Sequence, residues 1–360
     1  MTSLSSSWKI PHQVIFLLLI FSITSCTKDD PNDPSVTYDA TELLKNVPEE
    51  VITATYVNLE QQANALIDAV ENLQSNPSES NLEDARAAWR LARTPWEQSE
   101  GFLFGPVATQ GIDPSIDSWP VNTVDLDAVL ASSAVLTKDY IDGLDGTLKG
   151  FHTTEYLLFG TDGNKEPSAF NSREFEYLVA VAQSLHGATD QLKNAWSASG
   201  ENFQINLVNA GKSGSIYPSQ KSALQELING LIGIADEVGN GKINDPFSQE
   251  DLLYEESRFS NNSKADFADN IRSIQNIYLG TITTPNGIGL SDFVVSQNND
   301  LDVKVKQEVQ SAIDKIEAIP GTFGEAVFNN KAAVQSAQDA VRLLQQTLES
   351  EVKPLIDELQ

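Results

Sequence analysis

Gly150-Phe151-His152-Thr153-Thr154-Glu155 sets an imidazole and a carboxylate three residues apart. On a helix that spacing puts both side chains on one face. Histidine is scarce, with 3 in 360 residues, and His12 falls in a segment expected to be removed. A rare histidine paired with a carboxylate marks a candidate site. Imidazole and carboxylates form a hard to borderline donor set that suits iron, manganese or zinc better than copper(I). His152 and Glu155 supply only two donors, and a metal site in a helical bundle needs several pointing inward. Glu100 is the first choice for another, then Glu97 and Asp117. The plain alternative is a structural pair that braces a helix, and His186, with no motif around it, reads as structural.

The elements that must position these groups read as helices. From Thr41 onward apolar residues recur at helical spacing, with Pro, Gly, Asn and Ser marking the loops. Thr41 to Asn72 carries Leu43, Leu44, Val47, Val51, Ile52, Leu59, Leu66, Ile67 and Val70. Asn81 is expected to cap the next helix, which buries Leu82, Ala85, Ala88, Trp89 and Ala92. Pro95 should kink or end it beside Arg93, Glu97 and Glu100. Further helices are expected near Asp125 to Leu136, Asp145 to Leu158, Arg173 to Ala198, Pro218 to Val238, Lys264 to Leu279, Leu290 to Val295, Asp302 to Ile319 and Phe328 to Leu359. The fold class is all-α, with two helical-bundle halves over residues 41–198 and 216–360, and a polar linker over 199–215.

Lys9, the apolar run Val14 to Phe21 and Ile23-Thr24-Ser25-Cys26 form the three regions of a bacterial lipoprotein signal over residues 1–25. The run is too short for a membrane span. Cys26 is the single cysteine, which excludes an intramolecular disulfide and a cysteine-ligated zinc site; lipidation is its expected role. Residues 26–40 read as a disordered tether. The expected location is the outer membrane, lipid-anchored through Cys26 on the periplasmic face or the cell surface. With 23 basic against 51 acidic residues and a formal charge of −28, nucleic acid is excluded as a partner, since phosphate binding needs clusters of Lys and Arg. Cations and basic partners are favoured, although an acidic surface also serves solubility alone.

The pattern Gly-x-His-x-x-Glu at Gly150 to Glu155, continued as Tyr156-Leu157-Leu158-Phe159-Gly160, resembles the hallmark of the imelysin family. Trp89-Arg90-Leu91-Ala92-Arg93-Thr94-Pro95-Trp96-Glu97-Gln98-Ser99-Glu100 is similar to a second block of that family, as are Ile116-Asp117-Ser118-Trp119-Pro120 and Ser257-Arg258-Phe259-Ser260. Together they cover the chain from about Thr41 to its end. The resemblance implies a helical protein of two bundle-like halves with a pocket near their junction, built around His152, Glu155, Arg93 and Glu100. It also implies an envelope protein described either as a peptidase or as a component of iron uptake, with a membrane partner to receive the iron.

Glu97, Asp117, Trp119 and Arg258 join Arg93 as candidate pocket residues. Arg93 has a plain reading too, a surface pair with Glu97 one helical turn away. Trp89, Trp96 and Trp119 read first as core. Hydrolysis at a metal needs an open coordination position and a general base, and the His-Glu-x-x-His arrangement that supplies them is missing here, as are a Gly-x-Ser-x-Gly elbow and a cysteine nucleophile. The residues therefore favour binding of a metal ion, iron or zinc, or of a small iron-bearing ligand. An imelysin-type metallopeptidase and a non-catalytic envelope interaction module are the alternatives.

Overall fold

Eight longer helices carry the structure: α1 (Ala54–Ser75), α2 (Glu79–Glu97), α3 (Gly150–Phe159), α4 (Ser172–Trp196), α5 (Gln220–Asp236), α6 (Ser263–Leu279), α7 (Asn299–Glu317) and α8 (Lys331–Thr347). The computed structural model describes residues 37–283 and 287–360. The leader, Cys26 and most of the tether over 26–40 lie outside the described residues. No strand occurs among the described residues, and none of their helices is long and apolar enough to cross a membrane.

Helix formation follows apolar periodicity. In α8, Val334, Ala337, Val341 and Leu344 return to one face every three or four residues and are buried, while Gln335, Asp339 and Gln346 stay on the outer faces. Helix α1 packs against α2 and against α4, α3 lies against α2 and α4, and α6 joins α2 to α5 and α7. Both sequence halves contribute to one continuous apolar core, so α2 and α6 meet as core neighbours. Tight coupling is visible at single groups: the Trp89 indole donates to the Phe151 carbonyl at 3.0 Å, and its ring meets Phe151 and Phe159 edge-on.

Several boundaries differ from the sequence expectation, each for a local reason. The cap of α2 is Ser78, whose hydroxyl accepts from the Asn81 amide, rather than Asn81 itself. Pro95 sits in the last turn of α2, which ends two residues later. The stretch expected to be helical from Asp145 instead forms a 3-10 turn, Gly146–Leu148, breaks at an extended Lys149, and begins α3 at Gly150 with φ +75°. Three π-helical segments, Val47–Thr53, Glu237–Lys242 and Leu348–Val352, widen otherwise regular helices. The second has a structural use. Its wide turn, in which the Ile243 amide donates to the Val238 carbonyl at 3.0 Å, delivers Lys242 to the candidate site.

Candidate functional site

Where α2, α3 and α6 converge, the molecule buries an unusual number of charges. Arg93 and Glu97 come from α2, His152 and Glu155 from α3, and Asp266 and Asn270 from α6. Glu100 comes from the 3-10 turn after α2, Asp117 from the end of the one-turn helix Asp113–Ile116, Lys242 from the π segment, and Glu256 from the loop before α6.

Gly150 makes this assembly possible. A Cβ at that position would lie 2.3 Å from the Ile116 carbonyl oxygen, and its positive φ is a conformation that side chains disfavour. The close approach sets the Asp113–Ile116 turn against the start of α3 and so puts Asp117 beside His152. On the other flank of Gly150, the Tyr177 hydroxyl of α4 donates to the Leu148 carbonyl at 2.6 Å.

Arg93 is the hub. Its side chain is fully buried and pairs with Asp117, with Glu97 at 2.5 Å, with Glu256 at 2.8 Å and with Asp266 at 3.6 Å. The i, i+4 pair with Glu97 exists, but it is buried on both sides and is not a surface pair. Lys242 is the second cation, 2.6 Å from Glu100, 3.3 Å from Glu256 and 3.6 Å from Glu97. Asn270 donates to Glu97 Oε2 at 2.6 Å and to Glu100 Oε2 at 2.7 Å, tying the two carboxyls together.

His152 Nε2 lies 3.1 Å from Asp117 Oδ1 and 3.8 Å from Glu256 Oε1, and Nδ1 lies 3.6 Å from Glu155 Oε2. These are ion-pair distances; neither ring nitrogen is aligned for a full hydrogen bond. Glu155 is otherwise engaged. Its Oε1 accepts from the Phe259 amide at 3.1 Å, the Ser260 amide at 2.8 Å and the Ser260 hydroxyl at 2.7 Å. Glu155 therefore anchors the loop that carries Glu256, and it stands outside both three-donor groups whose atoms come within 4.8 Å of one another, Asp117–His152–Glu256 and Glu97–Glu100–Asp117.

Asp117 and Glu256 also face outward. With Glu100, Asp113, Glu237 and Asp245 they line a cleft of about 340 Å³, in which Lys242 is the one cationic side chain among the described residues. Trp119 and Tyr254 supply aromatic wall. Trp119 is 37% exposed, unlike the fully buried Trp89 and Trp96, because it stands at the cleft rather than between helices. Arg258 is not in the charged cluster. Its guanidinium stacks on the Phe259 ring at 4.5 Å, and its neighbour Glu256 takes the inward position. Glu256, Lys242, Asp266 and Asn270 are the participants that the motifs do not single out. Adjacency to the Ser257-Arg258-Phe259-Ser260 block is the only sequence signal, and it points to Glu256 alone.

Burial and charge set the protonation states. Burial pushes Glu100 and Asp266 well above the usual carboxylate range, assisted in both by the charge of Glu97 and opposed by Lys242 and Arg93 respectively. Burial also raises Glu97, against the pull of Arg93 and Lys242. At Asp117 burial is overcome by Arg93 and His152, which hold the carboxyl far below its ordinary value. Glu256 is lowered in the same way, burial losing to Lys242 and Arg93. Burial depresses His152, but the adjacent Asp117 carboxylate outweighs it and lifts the ring from 6.5 to about 9.

That state is measurable. Nitrogen-15 NMR of histidine-labelled protein should show one ring titrating near 9, and Asp117→Asn should bring it down to 6.5 or below. The folded value exceeds the unfolded one. The stability that His152 protonation contributes is therefore complete below pH 6.5, as long as Asp117 stays ionised, and is lost as pH rises to about 9. A wild-type His152 that titrates at or below 6.5 would contradict the pairing.

The residues fit a hard cation in donor chemistry. A buried imidazole nitrogen without a hydrogen bond faces carboxylate oxygens on two sides. They fit with two conditions: Arg93 and Lys242 already hold Asp117 and Glu256, so an entering cation must compete with them from the cleft side, and His152 holds a proton at neutral pH that it must release before the ring can ligate.

A family model described as imelysin, peptidase M75, matches residues 52–350. Iron-regulated protein A of Synechococcus elongatus is 30% identical over 318 residues, covering 87% of this chain and 86% of that protein. A solved structure from Parabacteroides distasonis, described as a candidate iron-regulated protein A precursor, superposes with a TM-score of 0.82 at 27% identity, covering 90% of this chain and 97% of the other. An imelysin-like protein from Psychrobacter arcticum shares the fold, with a TM-score of 0.74 at 15% identity over 89% of this chain and 98% of the other.

Proposed function

The chain belongs to the imelysin family, and from that premise we propose that it is an envelope protein whose acidic cleft captures a metal cation, iron foremost, or a small iron-bearing ligand. The supporting observation is the double exposure of Asp117 and Glu256. Each offers an oxygen beside His152 Nε2, and each also lines the cleft, so a cation arriving through the cleft meets hard oxygen donors before the buried imidazole. The surplus of carboxylates around the opening attracts positive charge to it. Two similar proteins carry names that refer to iron regulation, in keeping with ferrous or ferric iron as the cargo. Lipid on Cys26 would hold the cleft at the outer membrane, where an uptake partner receives the metal.

Equilibrium dialysis of the mature protein against Fe(II), Mn(II) and Zn(II), read by elemental analysis, tests this. Saturable binding is expected, with Asp117→Asn and Glu256→Gln each weakening it by about tenfold or more, the usual loss when a ligand or its support is removed. His152→Ala should also weaken it, because an imidazole donor disappears without opening a large apolar cavity. Metal-dependent cleavage of unstructured peptides that vanishes in His152→Ala would replace binding with peptidase activity. Neither binding nor turnover would leave an interaction module. Fatty-acid labelling that persists in Cys26→Ser would remove the membrane part of the proposal.

A further inference from the structure

On the far side of the Asp113–Ile116 turn lies a second cavity, of about 270 Å³, with the opposite electrostatic character. Asp113 and Asp117 face the acidic cleft, whereas Ile112 and Ser115 face this pocket. Two ammonium groups line it, Lys138 and Lys149, against one carboxylate, Asp142. In a chain of formal charge −28, a cavity with a cationic surplus calls for a cause.

Lys149 supplies it. The side chain is only 8% exposed, and its Nζ donates to one acceptor, the Asp142 backbone carbonyl at 2.8 Å. No carboxylate lies within ion-pair distance of it among the described residues. The Asp142 carboxylate is already engaged, accepting from Lys138 Nζ and from the Ser184 hydroxyl, both at 2.6 Å. Asp145, four residues before Lys149, accepts instead from the amide and hydroxyl of Thr147 and meets Lys149 only as a charge beyond ion-pair distance. A buried ammonium with donors to spare and no carboxylate within ion-pair distance is stabilised by an anion that joins it.

The second lysine is placed to share that anion. Lys138 crosses α4 at Gly187, where a Cβ would stand 2.6 Å from Lys138 Cε and 2.9 Å from Nζ. The missing side chain lets the ammonium lie along the pocket wall. Ser115 also lines the pocket.

We propose that this pocket binds a small oxyanion, phosphate or a carboxylate, between Lys149 and Lys138. The two ammonium groups act as point charges that accept any oxyanion geometry, while the volume, about 270 Å³, suits a small anion up to the size of citrate. The site is independent of the metal reading, although the two cavities share the Asp113–Ile116 wall.

Isothermal titration of the mature protein with inorganic phosphate, and separately with citrate, at constant ionic strength set by chloride, tests it. At least one anion should saturate the protein below about 10 mM, and should raise the unfolding temperature as any ligand of the folded state does. Phosphate alone identifies a phosphate-type ligand, and citrate alone a carboxylate-type one. Lys149→Met should weaken binding at least tenfold, and Lys138→Gln severalfold. Glu256→Gln, in the acidic cleft, should leave anion binding unchanged, which separates this site from metal-bridged binding there. If Lys149→Met does not fold, Lys138→Gln decides. No saturation with either anion would overturn the proposal, as would saturation that Lys138→Gln leaves at wild-type strength.

Discussion

Arg93→Met is expected to cost about 3–5 kcal/mol of folding stability at pH 7 to 8, the range found when one partner of a buried ionic network is removed. The guanidinium contacts Glu97, Asp117, Glu256 and Asp266 at once, and its side chain has no exposure to water. Without it these carboxyls face one another with Lys242 and His152 as the remaining cations. They respond by holding protons, so the penalty should depend on pH. Asp117 and Glu256 are held below their ordinary values in the wild type. The stability they contribute is present above the unfolded carboxylate range and lost as pH falls through the folded values. That wild-type contribution is intact between pH 8 and the unfolded carboxylate range, whereas the variant's crowded carboxyls, raised by mutual repulsion, regain protons as pH falls; the difference should be largest near pH 8 and shrink toward pH 4. Urea unfolding across that range checks it. A loss under about 1 kcal/mol, the worth of an exposed pair, would show that the charges are solvated instead.

Gly150→Ala is the second large effect, and it acts through backbone rather than charge. A methyl group there meets the Ile116 carbonyl at 2.3 Å and the Ser115 carbonyl at 3.2 Å, and neither can rotate away as a side chain would. The positive φ adds about 1–2 kcal/mol for any residue with a Cβ. A total cost near 3 kcal/mol or more is expected, with the Asp113–Ile116 turn pushed off α3. Asp117 then leaves His152, and the ring should titrate closer to its ordinary value in the same sample. A variant as stable as wild type, with His152 still near 9, would mean that the close approach does not position Asp117.

The sequence pattern carries most of the helices because their buried faces repeat every three or four residues over several turns, as in α8. Single turns such as Asp113–Ile116 escape it, since a four-residue helix depends on its neighbours and not on its own propensity. The same division runs through the site. Arg93, Glu97, Glu100, Asp117, His152 and Glu155 lie in compact blocks with recognisable spacing. Lys242 follows Gly239-Asn240-Gly241, which reads as an exposed turn, and only the π geometry after α5 carries it inward. In the Glu255 to Ser260 loop the inward direction is set by Glu155 gripping two backbone amides. That long-range contact places Glu256 at the cluster and leaves Arg258 stacked on Phe259.

Capture of a metal at the junction of cluster and cleft is best judged by position. Crystals of the mature protein grown with Mn(II) or Fe(II), measured at and below the metal absorption edge, locate any bound ion directly. An anomalous peak is expected within coordination distance of Asp117 and Glu256, on the cleft side of Arg93, with occupancy lost in Glu256→Gln. Metal-saturated crystals with no peak there, or with a peak only at other carboxylates of the acidic surface, would contradict it.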